Sequence, residues 1–221
     1  MVRLGLVILF VSFANGLFAA DLKLKTADNS PPKQIDSSIQ KLLQPKSIQL
    51  LDGDKPAFEF WFISNLPLQS KSASFAKALD TIKPATLLGV VSVPKSMRDY
   101  RDDEIAPGVY TMRFTLQPQD GNHLGTADFL YFVALTPAKL DPKPDAITDY
   151  KSLVKASSKE TSTDHPVVMS LRPVNSESGE FPKIEEPAPE HKSVRVKLPA
   201  TAGAEKTSII FDIVFEGKAH K

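Results

Sequence analysis

The chain of 221 residues contains no cysteine. Disulfides, thiolate metal sites and cysteine nucleophiles are therefore excluded, and so is a lipid anchor on a cysteine behind an export signal. The sequence holds no glycine-rich phosphate loop, no Gly-x-Ser-x-Gly elbow and no His-Glu-x-x-His pair. Its four histidines, His123, His165, His191 and His220, are scattered and form no ligand-spacing motif. Neither sign of charge dominates: 27 basic residues face 26 acidic ones, and the basic residues form no patch interleaved with aromatics. That balance gives no electrostatic reason for a nucleic-acid partner or an anionic membrane surface. Beyond the first twenty residues no run is apolar enough to span a bilayer.

What is present starts with those twenty residues. Met1-Val2-Arg3 is a short basic start, and Leu4 to Phe13 is apolar except at Gly5 and Ser12. Small residues follow at cleavage-type spacing, with cuts after Gly16, Ala19 or Ala20 all compatible. This is the anatomy of a secretory signal peptide, and the run is too short for a comfortable membrane anchor. The expectation is a cleaved signal at 1–20, a secreted or periplasmic protein, and no membrane span after signal removal. Removal takes Arg3 and no acid from the totals of 27 and 26, so the mature chain is balanced. A cysteine-free exported protein of this size relies on its core, which suits a bacterial envelope.

Residues 21–35 are polar, carry Pro31-Pro32, and read as an extended or loosely ordered leader. Asp36 or Ser37 can cap a short helix that places Ile39, Leu42 and Leu43 on one face and ends before Pro45. Ile48 and Leu50 alternate with polar neighbours, and Asp52-Gly53 reads as a hairpin turn. Phe58, Phe60 and Phe62 share one face of the next strand, with Glu59 and Trp61 on the other. Phe75, Leu79 and Ile82 predict a helical turn within 70–83.

Further strands are expected over 86–93, 109–116, 129–135, 167–171, 194–198 and 209–215. The strand 109–116 is the clearest, because Tyr110, Met112, Phe114 and Leu116 alternate with Thr111, Arg113 and Thr115. Strict period two predicts one core face and one polar face. Asp145 is placed to cap a helix bearing Ile147, Tyr150, Leu153 and Val154. Residues 175–192 are rich in Pro, Glu and Ser and read as a mobile loop. About eight short strands with two or three short helices predict an all-β protein. The expected architecture is a single antiparallel β-sandwich domain over 36–221, immunoglobulin-like or jelly-roll-like.

Two loops carry the chemistry. In 117–128, Asp120, Asn122 and His123 gather a carboxylate, an amide and an imidazole between Gly121 and Gly125. The same residues make an ordinary turn whose side chains bond their own backbone. A metal at His123 and Asp120 needs further ligands, from His165 or from a carboxylate of another loop such as Asp102; a divalent metal is the cofactor such a set could carry. In 99–106, Asp102, Asp103 and Glu104 offer oxygen ligands without calcium-loop spacing, or a solvated turn before Pro107. Arg101 could pair with Asp120 or Asp128 and tie the loops together. The loops flank the strand 109–116, so direct geometry places them about 25 Å apart, at opposite ends. Tyr100, Trp61 and Tyr110 could stack a sugar ring or be buried.

Tyr100-Arg101-Asp102, Pro107-Gly108-Val109-Tyr110-Thr111, Arg113, and Gln117-Pro118-Gln119-Asp120-Gly121-Asn122-His123-Leu124-Gly125 together resemble a group of uncharacterised secreted bacterial proteins of the planctomycete type. The resemblance runs from about Ile48 to Leu171 and includes Gly89 and His165-Pro166. It implies bacterial export and a shared loop set, and no assigned activity. The leading expectation is an exported protein that binds a ligand or an envelope protein through loops 99–106 and 117–128, using Tyr100, Arg101, Asp102, Asp120, Asn122 and His123. The alternative is a metal-binding protein or metal-dependent enzyme using His123, His165 and Asp120.

Overall fold

The computed structural model describes residues 22–100, 103–121, 123, 127–160, 165–189 and 191–217. The expected export signal, Arg101, Asp102, Asn122 and His220 lie outside the described residues. The chain opens with β1 (Leu22–Ala27), α1 (Ser37–Gln40), β2 (Ser47–Asp52), β3 (Lys55–Phe62) and β4 (Leu66–Leu68). A 3-10 turn over Phe75–Thr81 leads to β5 (Leu87–Val93), then β6 (Met97–Arg98), β7 (Glu104–Ile105), β8 (Gly108–Leu116) and β9 (Tyr131–Pro137). The rest is α2 (Tyr150–Ser157), β10 (Val168–Pro173), β11 (Lys183–Ala188), β12 (His191–Ala202) and β13 (Glu205–Glu216).

The described chain is mostly β, as the alternation predicts, but eleven of the strands form one large curled sheet, and β6 and β7 pair in a separate small one. Ten follow one another in the order β1-β2-β3-β5-β8-β9-β10-β13-β12-β11, and β4 joins β12. The β4–β12 pairing is parallel, so the sheet is mixed rather than purely antiparallel. Strand β10 is the corner. Its Val168–Ser170 half pairs with β9 and its Leu171–Pro173 half with β13. A strand that changes partners lets a sheet bend back on itself and enclose its own apolar face. Phe58, Phe60 and Phe62 stack along β3 at 5.7 and 5.8 Å, and the Phe58 ring lies 6.3 Å from Phe215 of β13. Opposite halves of the sheet thus share one core.

Several expectations shift at the edges. Residues 22–27 of the polar leader are extended and fully paired with β2. Part of the expected mobile loop at 175–192 is β11, paired with β12. Helix α2 is capped by Asp149, whose side chain accepts from the Ser152 N–H, and not by Asp145. Asp36 caps α1 as expected. Among the described residues no helix is long and apolar enough to cross a membrane.

The largest correction concerns β8. Thr111, Arg113 and Thr115, expected on the polar face, are buried. The segment 138–158 covers them. Arg113 is 1% exposed, and its Nε and Nη2 donate to the two carboxylate oxygens of Asp141 at 2.6 and 2.8 Å. Nη1 donates to the Ala85 and Ile147 carbonyls, and Nη2 also reaches the Lys143 and Pro144 carbonyls. Thr111 Oγ1 donates to Asp141 as well, at 2.6 Å. Every N–H of this guanidinium is satisfied, which is the condition for burying a charge.

Gly89 has the other tight requirement. Its φ is +154°, and an added Cβ would lie 2.3 Å from the Trp61 carbonyl oxygen, across the β3–β5 pairing. No side chain fits there.

Replacing Arg113 by Met leaves Asp141 buried without its cation and should cost about 3–5 kcal/mol, read as a lower urea midpoint. Adding Asp141→Leu should not restore stability, because the four carbonyls that Arg113 serves stay orphaned. Full recovery in the double variant would show that the crossover does not depend on those carbonyl contacts.

Candidate functional site

The two loops picked out from sequence are placed by different devices. Strands β6 and β7 form a small hairpin, and Asp99, Tyr100 and Asp103 are the described residues of its tip. Asp99 holds that tip closed: its N–H donates to the Asp103 carbonyl at 2.9 Å, and Oδ1 accepts from the Asp103 N–H at 2.9 Å. Its Oδ2 then accepts from the Val168 N–H at 3.1 Å, while the Tyr100 N–H donates to the Val168 carbonyl at 3.1 Å. Val168 lies in the half of β10 that pairs with β9 and not β13. The hairpin tip therefore takes up backbone groups that β13 would take up farther along the strand.

This docking buries Tyr100 against Phe132 and His191, with ring centroids 6.0 and 5.9 Å away. Tyr100 is thus packed on the outer face of the sheet and not presented to solvent. Burial raises its phenol pKa above the ordinary tyrosine value, the Asp128 charge raises it further, and Arg172 opposes them. The other two rings considered for sugar stacking are buried too. Trp61 Nε1 donates to the Asn29 carbonyl at 2.8 Å, and the Tyr110 hydroxyl to the Ala106 carbonyl at 2.7 Å.

Loop 117–130 joins β8 to β9. Its base is closed by the Gln117 N–H donating to the Leu130 carbonyl at 2.8 Å. Gln117 Nε2 donates to the His123 carbonyl at 2.9 Å, and the His123 N–H to the Asp120 carbonyl at 3.1 Å. Asp120 Oδ1 lies 2.6 Å from His123 Nδ1. The turn chemistry expected at Asp120-Gly121 is present, with the imidazole added to it. An Asp120 oxygen on Nδ1 leaves Nε2 as the nitrogen that could bind a metal, which makes Asp120 an orienting partner more than a ligand. Among the described residues no group of three or more His, Asp or Glu side chains is placed to hold a metal ion. Asp120, His123 and His165 therefore do not form a three-donor set.

The expected 25 Å separation between the loops is corrected by the fold-back of the β6–β7 hairpin. Its tip and the far end of loop 117–130 meet over β10. Arg172 of β10, 6% exposed, bonds Asp128 through Nη2, and its Cζ lies 5.2 Å from the centroid of the Phe129 ring. Tyr100 stands near enough to feel both charges. His191, at the start of β12, packs on Gly217, where an added Cβ would lie 2.4 Å from the imidazole. Its Nδ1 meets the Pro189 carbonyl at 2.8 Å, while Nε2 is buried without a partner among the described residues.

The site thus contains one residue expected from sequence, Tyr100, together with Arg172, Asp128, Phe129 and His191. Arg172 had a legible signal. In Val168-Met169-Ser170-Leu171-Arg172, alternation places the arginine on the face opposite the apolar core. Nothing local marks His191. Comparisons with protein-family models, curated proteins and solved structures return no match.

The base of loop 117–130 also carries a pH-sensitive contact. The Tyr131 hydroxyl donates to Asp80 Oδ1 at 2.5 Å, and burial together with this bond pushes its pKa up to about 12, from 10. A raised folded-state pKa means that the unfolded chain loses its proton first. The contribution is therefore complete below pH 10 and is lost as pH rises toward 12. Melting temperature should fall across that window in the native chain and fall less in Tyr131→Phe. Equal slopes in the two proteins would exclude this contact as the cause.

Proposed function

We propose that the protein is an exported β-sandwich binding module, secreted or periplasmic, that recognises a ligand or an envelope protein through the surface built by loops 99–106 and 117–128. The observation that carries the reading is where exposed apolar side chains gather. Among the described residues the large hydrophobics at the surface are Leu42, Leu116, Leu130 and Tyr150. Three of these four border loop 117–130. Leu116 ends β8 and Leu130 immediately precedes β9, and Tyr150, whose phenol pKa is raised first by burial, is close enough to Asp120 for that charge to raise it further. Apolar side chains gathered beside polar loops are the anatomy of an interaction site. The docking of the β6–β7 tip against β10 supplies the rigid support that recognition needs.

A photo-crosslinking residue at Leu130 should form a discrete adduct in envelope extract, and one at Leu42 should not. Leu116→Asp combined with Tyr150→Asp should abolish that adduct with an unchanged melting temperature. Equal labelling from both positions, or an adduct that survives the double variant, removes this surface from consideration.

The second reading, a metal-binding protein or metal-dependent enzyme using His123 and His165, rests on the Asp120–His123 contact at 2.6 Å, which orients the imidazole. It requires stoichiometric metal in elemental analysis and a rise in melting temperature with zinc, copper or calcium. His123→Ala should lose both. Metal-free protein whose melting ignores all three ions defeats it.

A further inference from the structure

Among the described residues, the recorded ion pairs include three in which an arginine meets an aspartate across or beside the sheet. Two use the same edge of the guanidinium. Arg113 donates from Nε and Nη2 to the two oxygens of Asp141 at 2.6 and 2.8 Å. Arg195 donates from Nε and Nη2 to the two oxygens of Asp212 at 2.6 and 2.9 Å. Arg172 does not complete this fork. Its Nη2 bonds Asp128, but its Nε is buried with no partner among the described residues.

Covalent geometry says where the unused donor points. The guanidinium is planar and rigid, and Nε–H runs parallel to one N–H of Nη2. A group with two oxygens on one centre takes both. The empty Nε lies on the guanidinium edge it shares with the Nη2 that Asp128 bonds; Nε itself is buried, and the Asp128 side chain, 35% exposed, is the part of the pair that solvent reaches, so its departure is what opens that edge. The Phe129 ring lies over the guanidinium and favours a positive charge that stays in place. Buried charged donors are normally fully bonded, so a half-filled fork in a protein that fills two others calls for a second acceptor.

We propose that the Nε/Nη2 edge of Arg172 is a binding site for a carboxylate of the ligand, with Asp128 standing in for that carboxylate when none is bound. The ligand's two coplanar oxygens displace Asp128 and take both donors, as Asp141 and Asp212 do at the other two arginines. Tyr100, packed beside the pair, forms a wall of the site, and Phe129 covers it. The ligand is an acidic sugar or a peptide with a free carboxylate; both present the same group. This inference deepens the binding reading above and takes from it only the location.

The test is a titration of the full chain, followed through the Nε–H resonances of its arginines, with acetate, glucuronate, glycyl-alanine and inorganic phosphate. A saturable shift of the Arg172 signal with at least one carboxylate is expected. Glucuronate and glycyl-alanine separate the sugar from the peptide source. Asp128→Asn, which removes the resident competitor, should tighten binding about tenfold. Arg172→Lys, which keeps the charge and loses the fork, should weaken it at least tenfold. Absence of any saturable shift in both the native chain and Asp128→Asn overturns the proposal, as does phosphate binding more tightly than every carboxylate. If those titrations fail while the Leu130 crosslink persists, the carboxylate site is lost and the binding surface stands.

Discussion

The outer face of the sheet depends on one buried guanidinium. Arg113 is held by Asp141 and by four carbonyls from the 85, 143, 144 and 147 positions. Those carbonyls belong to the turn before β5 and to the crossover after β9, so a single side chain fixes two connections against β8. The charge is buried at little cost because every N–H has an acceptor, and removing any partner leaves the others uncompensated. The consequence is spatial. With 138–158 laid over β8 and β9, the outer face left for other loops is the part carried by β10, β13 and β12. The hairpin tip and the end of loop 117–130 meet there.

Much of this fold was legible. The phenylalanine ladder of β3, the alternation in β8 and the Asp52-Gly53 turn each identified their element. Failures came where pattern does not carry the deciding physics. Alternation marks Thr111, Arg113 and Thr115 as facing away from the apolar core, but it cannot say whether water or buried carbonyls satisfy them. The polar composition of 22–27 and 183–188 reads as loop, yet both segments pair as strands at the two ends of the sheet path, where one side of a strand stays polar. Asp145 and Asp149 are both plausible caps by type, and the choice was made by where the crossover is pinned.

The site was less legible than the fold. Distance along β8 separates its flanking loops, and that estimate holds only if each loop stays at its own end of the strand. The β6–β7 hairpin breaks this assumption by returning along the sheet to dock at Val168. Two backbone contacts and a buried tyrosine bring it there, and none has a local sequence signature. The polar cluster that drew attention, Asp120 to His123, closes its own turn. The residues that meet at the corner, Arg172 and His191, lie far downstream, Arg172 just past the strand expected over 167–171 and His191 inside the expected mobile loop 175–192.

The three arginine–aspartate pairs differ in how completely they are satisfied, and this separates scaffold from candidate function. A fork filled on both donors and covered by fixed carbonyls, as at Arg113, has nothing to gain from an incoming anion, since any exchange begins by breaking bonds already made. Arg195 is similar, with Asp212 filling the fork and Glu185 beside it at 3.3 Å. Arg172 is the pair in which exchange can lower the free energy, because one buried donor lacks an acceptor beside a carboxylate that solvent reaches. Its aspartate belongs to a connecting loop, whereas Asp212 is fixed in the middle of β13. A loop carboxylate on a half-used arginine can leave without breaking a strand ladder, so the molecule places its most exchangeable ion pair where its two chemistry-bearing loops converge.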